Sequence, residues 1–262
     1  MAIIGSIIGD IIGSQYEEGY PLNFNPNTCS LFSHYCSFTD DTVMSLSIKY
    51  AIDNNISYVD AMHRIGLKYY DCGYGRRFYN WIINRDKSPY YSYGNGAAMR
   101  VSYIGEYFDI IDDVILQAEK SSIVSHNHPE GIKGAITTAV CIWMAKHNKS
   151  KNEIYNYVLT QYPSNKYKYS VEYDLKYIIS HYDFDVSCMA TVPVAIKCFL
   201  ESDSYESFIR NVFLIDCDTD TICCIGGGIA EEYYGTTGLN NDEILKKYLD
   251  EYLLNILYKK GK

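Results

Sequence analysis

The sequence predicts an all-α protein. Apolar residues recur at helical spacing along most of the chain, and no stretch shows the sustained alternation of apolar and polar residues that is typical of strands. The lack of alternating strands and helices argues against a Rossmann or α/β-barrel architecture. The predicted helices are approximately Asp41–Ile52, Tyr58–Tyr69, Ile110–Glu119, Gly131–Lys146, Lys151–Gln161, Cys188–Glu201, Ser204–Leu214, Asp220–Tyr234 and Asp242–Tyr258.

The N-terminal segment has glycines at every fourth position, at Gly5, Gly9 and Gly13. On a helix these residues form a smooth stripe against which a neighbouring helix can pack closely. The segment Met1–Gly13 is apolar, but it has no basic leader, contains Asp10 and is too short to span a bilayer. We therefore expect neither a signal peptide nor a membrane anchor.

The C-terminal segment has leucines four residues apart, at Leu245, Leu249, Leu253 and Leu257. This spacing predicts one continuous helix that packs a single apolar face on the rest of the protein. No linker or internal repeat divides the chain, so we expect one compact domain of orthogonally packed helices over residues 1–262.

Composition limits the possible functions. The 262 residues are 47% hydrophobic, which is enough for a substantial core without disulfides. The formal net charge of −9 disfavours general binding to a nucleic-acid backbone, which requires clustered Lys and Arg. Nine cysteines form no C-x-x-C pair and no zinc-finger spacing, so we expect reduced thiols and a cytoplasmic location.

Two acidic segments stand where helices are predicted to begin. In Phe38–Thr42, one of Thr39 or Asp40 would suffice as a helix cap, but adjacent carboxylates also suit a cation. The segment Asp216–Thr221 repeats the pattern, and its hard oxygen atoms favour Mg²⁺, Mn²⁺ or Ca²⁺ over zinc. If the two segments converge, they could hold two metal ions.

Two other interpretations of the second acidic segment are weaker. An EF-hand loop beginning at Asp216 would need Gly where Thr221 stands and Glu where Gly227 stands. An aspartyl-phosphate phosphatase would need Thr or Val at the position of Asp220, and little chain follows for its other motifs.

Three further segments contain candidate site residues. Asp10 and Glu17 are charged groups in an apolar context, where a charge is costly unless it is paired or bound to a metal. The loop Ser92–Arg100 has two glycines beside an asparagine, which suits either a tight turn or close approach to a phosphate or ribose. His126 and His128 could supply two zinc ligands, but no third is evident, and contact with substrate is the favoured interpretation.

Taken together, these segments resemble the ADP-ribosylglycohydrolase family, all-helical hydrolases related to the dinitrogenase-reductase-activating glycohydrolase. The resemblance extends from Gly5 to about Gly235. Six motifs occur in the order found in the family: GDIIGSQYE from Gly9, FTDDT from Phe38, SYGNGAAMR from Ser92, SHNHPEGIKGA from Ser125, TVPVAIKCFL from Thr191 and DTDT from Asp218.

The resemblance implies a role for each matching residue. It implies two divalent cations, Mg²⁺ or Mn²⁺, and makes Glu17 the acidic residue beside the scissile bond. The implied metal ligands are Thr39, Asp40, Asp41, Asp218, Asp220 and Thr221. The implied substrate-binding residues are Asp10, Ser92, Tyr93, Gly94, Asn95, Gly96, His126 and Val186.

The implied activity is hydrolysis at the anomeric carbon of ADP-ribose attached to a protein or a small molecule, through an oxocarbenium-like transition state. The motifs favour the branch that includes serine-directed enzymes, with arginine linkages, small esters and nucleic-acid ends as alternatives. One departure is that Asp216 and Cys217 replace the usual Gly-Gly, and their side chains could crowd the site. A catalytically silent ADP-ribose-binding protein and a metal-dependent phosphatase or pyrophosphatase are therefore kept as alternative functions.

Overall fold

The computed structural model describes residues 1–259, so the expected domain end at residue 262 lies outside the described residues. Within this range the regular structure is helical, and no strand longer than an isolated bridge between Gly94 and Ser187 is present. The all-α prediction is confirmed. The α-helices are α1 (Ala2–Ser14), α2 (Asp40–Asn54), α3 (Tyr58–Gly66), α4 (Arg76–Ile83), α5 (Ser102–Tyr107), α6 (Ile111–Ile123), α7 (Pro129–Lys146), α8 (Lys151–Gln161), α9 (Leu175–His181), α10 (Cys188–Leu200), α11 (Tyr205–Val212), α12 (Thr219–Tyr234), α13 (Asn241–Tyr248) and α14 (Glu251–Tyr258).

The sequence prediction missed the short helices and joined two that are separate. Helices α4, α5 and α9, which have eight residues or fewer, were not predicted. The predicted continuous C-terminal helix is wrong, because the backbone is extended at Leu249 and a new helix begins after Asp250. The Asp250 side chain caps this helix by accepting a hydrogen bond from the Leu253 amide at 2.9 Å.

Helix α1 lies at the centre of the core. Every residue from Ala2 to Gly13 is buried, as expected for a helix that is apolar on all sides. Its main neighbour is α12, from which it is separated in sequence by about two hundred residues. The core cluster joins the isoleucines of α1 to apolar side chains of helices from α2 to α14.

The glycine stripe of α1 permits this close packing, as predicted. A Cβ atom on Gly9 would overlap the backbone carbonyl of Cys223, and one on Gly13 would overlap the backbone at Thr219 and Asp220. The Thr219 hydroxyl also donates a hydrogen bond to the Gly13 carbonyl at 2.9 Å. The C-terminal end of α1 therefore fixes the position at which α12 begins.

The same end of α1 fixes the start of α2. Asp10 is the one charged side chain of α1, and it is fully buried against the first turn of α2. The two acidic helix starts identified in the sequence thus meet at one end of α1. Among the described residues, no helix is both long and apolar enough to cross a membrane.

Candidate active site

A cavity of about 420 Å³ lies at the starts of α2 and α12. Its wall has two chemically different parts. The acidic end consists of the carboxylates Glu17, Asp40, Asp41, Asp218 and Asp220. The basic end consists of Arg76, Arg77, Arg100 and His126, and the loop Ser92–Gly96 runs beside it.

Asp10 anchors the acidic end without lining the cavity. Its carboxylate accepts hydrogen bonds from the Thr39 amide at 3.0 Å, the Thr39 hydroxyl at 2.7 Å, the Thr42 amide at 3.1 Å and the Thr42 hydroxyl. Burial raises the pKa of Asp10 to about 6, although these hydrogen bonds oppose the shift. Asp10 therefore holds the start of α2 without lining the cavity, and its contact with substrate stays a prediction.

Asp41 has an unpaired oxygen atom that requires explanation. The side chain is buried, and its Oδ2 accepts a hydrogen bond from the Thr221 hydroxyl at 3.2 Å. Its Oδ1 has no hydrogen-bond partner among the described residues. A buried carboxylate oxygen left without a partner is costly unless a cation neutralises it.

On the other acidic helix start, Asp218 is held by the glycine-containing loop. The Asn95 side-chain amide donates a hydrogen bond to Asp218 Oδ2 at 2.6 Å and another to the Thr191 hydroxyl at 3.2 Å. The Asn95 backbone amide donates a hydrogen bond to the Val186 carbonyl at 2.8 Å. Asn95 thereby links the acidic start of α12 to the loop that lines the rest of the cavity.

Three carboxylates come close enough to share one cation. Ligand oxygen atoms of Glu17, Asp218 and Asp220 all lie within 4.8 Å of one another. Glu17 follows the C-terminal end of α1 and is exposed, whereas the two aspartates are buried. Glu17 thus joins the acidic cluster and also lines the cavity, and its place beside the scissile bond stays a prediction.

The carboxylates of the acidic end repel one another. The pKa of Asp41 is raised well above its usual value by burial and by the charges of Asp10 and Asp40. Burial and Asp218 have the same effect on the pKa of Asp220, and burial, Asp218 and Asp10 raise the pKa of Glu17. The pKa of Asp40 is likewise raised, by burial first and by Asp10 and Asp218 next.

The basic end is already organised by internal hydrogen bonds. Arg100 is fully buried and donates to the Ser121 carbonyl at 2.8 Å and to the Ser125 hydroxyl at 3.0 Å. The Ser125 hydroxyl lies 2.8 Å from His126 Nδ1. Arg100 can only donate, so the Ser125 hydroxyl accepts from it; we assign the Ser125 proton to Nδ1, which places the His126 proton on Nε2.

His126 is therefore a neutral hydrogen-bond donor facing the loop. Burial and the charges of Arg100 and Arg77 hold the pKa of His126 well below its usual range. Its Nε2 lies 3.6 Å and 3.3 Å from the positions that Cβ atoms would occupy on Gly94 and Gly96, so these glycines leave room in front of the imidazole. His128 caps α7 by accepting from the Glu130 amide at 3.0 Å, and no zinc-type cluster of His residues is found in the described part of the chain.

The remaining predicted residues divide into two groups. Ser92, Gly94, Asn95, Gly96, Val186 and Thr221 line the cavity. Thr39 caps α2 next to the cavity, and the exposed Tyr93 ring packs against His128 outside it. Asp216 is exposed, Cys217 is buried, and neither lines the cavity, so the expected crowding is not observed.

The sequence analysis missed the arginines. Arg76 and Arg77 begin α4, and Arg77 donates to the Tyr90 carbonyl while packing 4.7 Å from the Tyr90 ring centroid. Two adjacent arginines directly after Gly73 and Gly75 were a signal for an anion-binding turn. Arg100 is the last residue of the SYGNGAAMR motif, and no function was predicted for it.

The fold and the site together define an all-helical protein with an oxygen-rich acidic cluster that could bind a metal ion. A model of the ADP-ribosylglycohydrolase family matches residues 1–257. The chain therefore belongs to the ADP-ribosylglycohydrolase family, and the resemblance inferred from the motifs is confirmed.

Individual relatives have low sequence identity to this chain. The chain is 26% identical to the ADP-ribosylhydrolase ARH3 of Mus musculus over 313 residues, covering 89% of this chain and 82% of the relative. It is also 26% identical to ARH3 of Homo sapiens, covering 89% of this chain and 84% of the relative. A solved structure described as an ADP-ribosylglycohydrolase-related protein complex matches with a TM-score of 0.73 and 18% identity, covering 100% of this chain and 96% of that one, which shows a shared fold.

Proposed function

We propose that this protein is a hydrolase that uses two divalent metal ions to release ADP-ribose from an ADP-ribosylated protein or small molecule. The observation that carries the proposal is the division of one cavity into an acidic end and a basic end. Family membership and the similarity to ADP-ribosylhydrolases support the same substrate class.

The residues of the acidic end fit divalent cations. All are hard oxygen ligands, which Mg²⁺ and Mn²⁺ prefer. Bound positive charge would stabilise two features of this end. One is the unpaired Asp41 Oδ1, and the other is the close group of Glu17, Asp218 and Asp220. We assign the two cations to the two helix starts, with the ligand sets Thr39, Asp40 and Asp41, and Asp218, Asp220 and Thr221.

The two ends of the cavity define an orientation for ADP-ribose. Its diphosphate carries negative charge and fits the basic end, where Arg77 and Arg100 supply positive charge and His126 Nε2–H supplies a donor. The ribose that bears the scissile bond then reaches the acidic end. Cations bound there would neutralise the carboxylates, hold the ribose hydroxyls and lower the pKa of a nearby water molecule.

Glu17 is the residue we assign to proton transfer. It is exposed, lies at the acidic end, and its pKa is raised above the usual value by burial and by the charges of Asp218 and Asp10, which favours a role in proton exchange. In the reaction the water oxygen bonds to the anomeric carbon. The bond between that carbon and the acceptor atom breaks, and its electron pair goes to the acceptor atom. The water loses one proton and the acceptor atom gains one, with Glu17 exchanging a proton with one of the two.

The test is to incubate the purified protein with proteins ADP-ribosylated on serine and on arginine and with O-acetyl-ADP-ribose, each with Mg²⁺ or Mn²⁺ and with a chelator. Metal-dependent release of ADP-ribose is the expected result, and the preferred substrate identifies the linkage. Release of AMP or phosphate would instead indicate a phosphatase or pyrophosphatase. Binding of ADP-ribose without any product would indicate a silent member of the family.

A further inference from the structure

A second cavity adjoins the acidic end. It has a volume of about 550 Å³ and is more open than the first. Its wall is formed by the segment Ser37–Thr39, which precedes α2, and by the segment Lys68–Gly73, which follows α3. Glu17 and Gly73 line both cavities.

We infer that this second cavity, here called the acceptor groove, binds the polypeptide from which ADP-ribose is released. This inference rests on the proposed function. Cleavage at the anomeric carbon requires the acceptor to lie on the side of the scissile bond opposite ADP-ribose. The group that exchanges a proton with the acceptor must lie next to the bound ADP-ribose and within hydrogen-bond reach of the acceptor atom. Glu17 lines both cavities, so this inference makes it the group that gives the acceptor atom its proton.

Gly73 lies between the two cavities and has no side chain to fill the space where they meet. Its φ of +98° is a conformation that side-chain-bearing residues rarely adopt. A Cβ atom there would lie 3.4 Å from Asp40 Oδ1, at the acidic end of the first cavity. The absence of a side chain at this position therefore leaves space beside the carboxylates where an acceptor enters.

The groove wall suits a polypeptide. Lys68 and Asp71 are both exposed, so the charged groups of its wall beyond Glu17 are balanced in sign. A nucleic-acid strand would require clustered cations, which this wall does not provide. Tyr70 is 54% exposed, and tyrosine rings give large contact areas to peptides at low entropic cost.

One side of the groove is held rigid, and the other is free to contact a ligand. The Tyr69 hydroxyl donates to Asp250 at 2.6 Å, and its ring packs edge-on against Phe38 at 5.8 Å. The side chains of Tyr70 and Asp71 have no hydrogen bond or ion pair with another described residue. They can be removed without loss of a hydrogen bond or ion pair, which makes them suitable for a test.

The experiment measures binding, so that it does not depend on turnover. In the Glu17→Gln protein with Mg²⁺, the affinity for a serine-ADP-ribosylated peptide is compared with that for free ADP-ribose, by titration calorimetry. The same comparison is made after adding Tyr70→Ala with Asp71→Ala. Tyr79→Ala is the matched control, because Tyr79 is 38% exposed on α4 and lines neither cavity.

We expect the modified peptide to bind about tenfold more tightly than ADP-ribose, and the double substitution to remove this advantage without changing the affinity for ADP-ribose. The control should keep the advantage. Equal affinities for the two ligands, an unaffected advantage in the double variant, or a larger advantage for an ADP-ribosylated oligonucleotide would each overturn the inference. A groove-dependent advantage without any release of ADP-ribose by the unsubstituted protein would contradict only the proposed function.

Discussion

The two ends of the first cavity are built on opposite principles. At the basic end, Arg100, Ser125 and His126 are linked by hydrogen bonds, and the buried Arg100 Nε is a donor without a partner among the described residues. At the acidic end, carboxylates raise one another's pKa and Asp41 keeps an unpaired buried oxygen. The basic end therefore has a spare donor that favours negative charge, whereas the acidic end has a spare acceptor that favours positive charge.

The largest expected effect concerns the acidic end. Glu17→Gln keeps the size of the side chain but cannot exchange a proton, so we expect turnover to fall by about 10²–10⁴-fold. The affinity for ADP-ribose, measured by calorimetry, should change little, because the basic end and the assigned metal ligands on the two helix starts are untouched. Unchanged turnover, or loss of binding, would remove Glu17 from the role we assign.

A second prediction uses stability to test the cation requirement. At a hundredfold excess over its Kd, each bound Mg²⁺ or Mn²⁺ should stabilise the folded protein by about 2.7 kcal/mol, measured as a rise in the midpoint of thermal unfolding. Asp220→Asn should abolish the part of this rise that comes from the cation at the start of α12. In chelator at neutral pH the same variant should be more stable than the original protein, because a repelling carboxylate has been removed.

The pH dependence of that difference has a definite sign. The pKa of Asp220 is raised in the folded protein, so the folded state binds the proton more tightly than the unfolded state. Lowering the pH from 7.5 towards 5 in chelator therefore stabilises the original protein at this site, and the advantage of Asp220→Asn should shrink. An advantage that grows as the pH falls would contradict the repulsion we describe.

The basic end should show a smaller effect, on binding alone. We expect His126→Ala to weaken ADP-ribose binding by about tenfold, since it removes one donor to a charged ligand. Stabilisation by Mg²⁺ should be retained, which separates the two ends of the cavity. A loss of metal-induced stabilisation in this variant would show that the ends are not independent.

The smallest effect tests the hydrogen-bond order within the basic end. Ser125→Ala leaves His126 in place but removes the group that fixes its tautomer, so we expect only a few-fold loss of ADP-ribose affinity. The ¹⁵N shifts of the imidazole should change from one tautomer towards a mixture. Ser121→Ala is the control, because the Ser121 hydroxyl donates to the Ala118 carbonyl and not to this network. Identical spectra for the two variants would refute the hydrogen bond that we assign from the Ser125 hydroxyl to His126 Nδ1.

The sequence was sufficient where a pattern extended over several turns. The long helices α2, α7, α10 and α12 were predicted because their apolar spacing persists, and the acidic helix starts were identified from composition alone. The break at Leu249 was missed because the leucine spacing continues through it, while the decisive feature is the single cap at Asp250.

Residues whose roles depend on distant partners could not be assigned from sequence. A buried Asp10 could be recognised as costly, but its partners Thr39 and Thr42 lie on another helix. Arg77 and His126 belong to segments about fifty residues apart, and only the fold brings them to one end of the cavity. Glu17 was expected beside the bond that is cleaved, and its approach to Asp218 and Asp220 required coordinates.

The pairing of α1 with α12 has a consequence for synthesis on the ribosome. Helix α1 is complete after residue 14, yet its hydrogen-bond partners Tyr205 and Thr219 are 200 and 206 residues further along the chain. At about 5–20 residues per second, the apolar helix waits roughly 10–40 s for them. During that time its isoleucines are exposed to other nascent chains, so a product truncated before residue 219 should aggregate rather than fold.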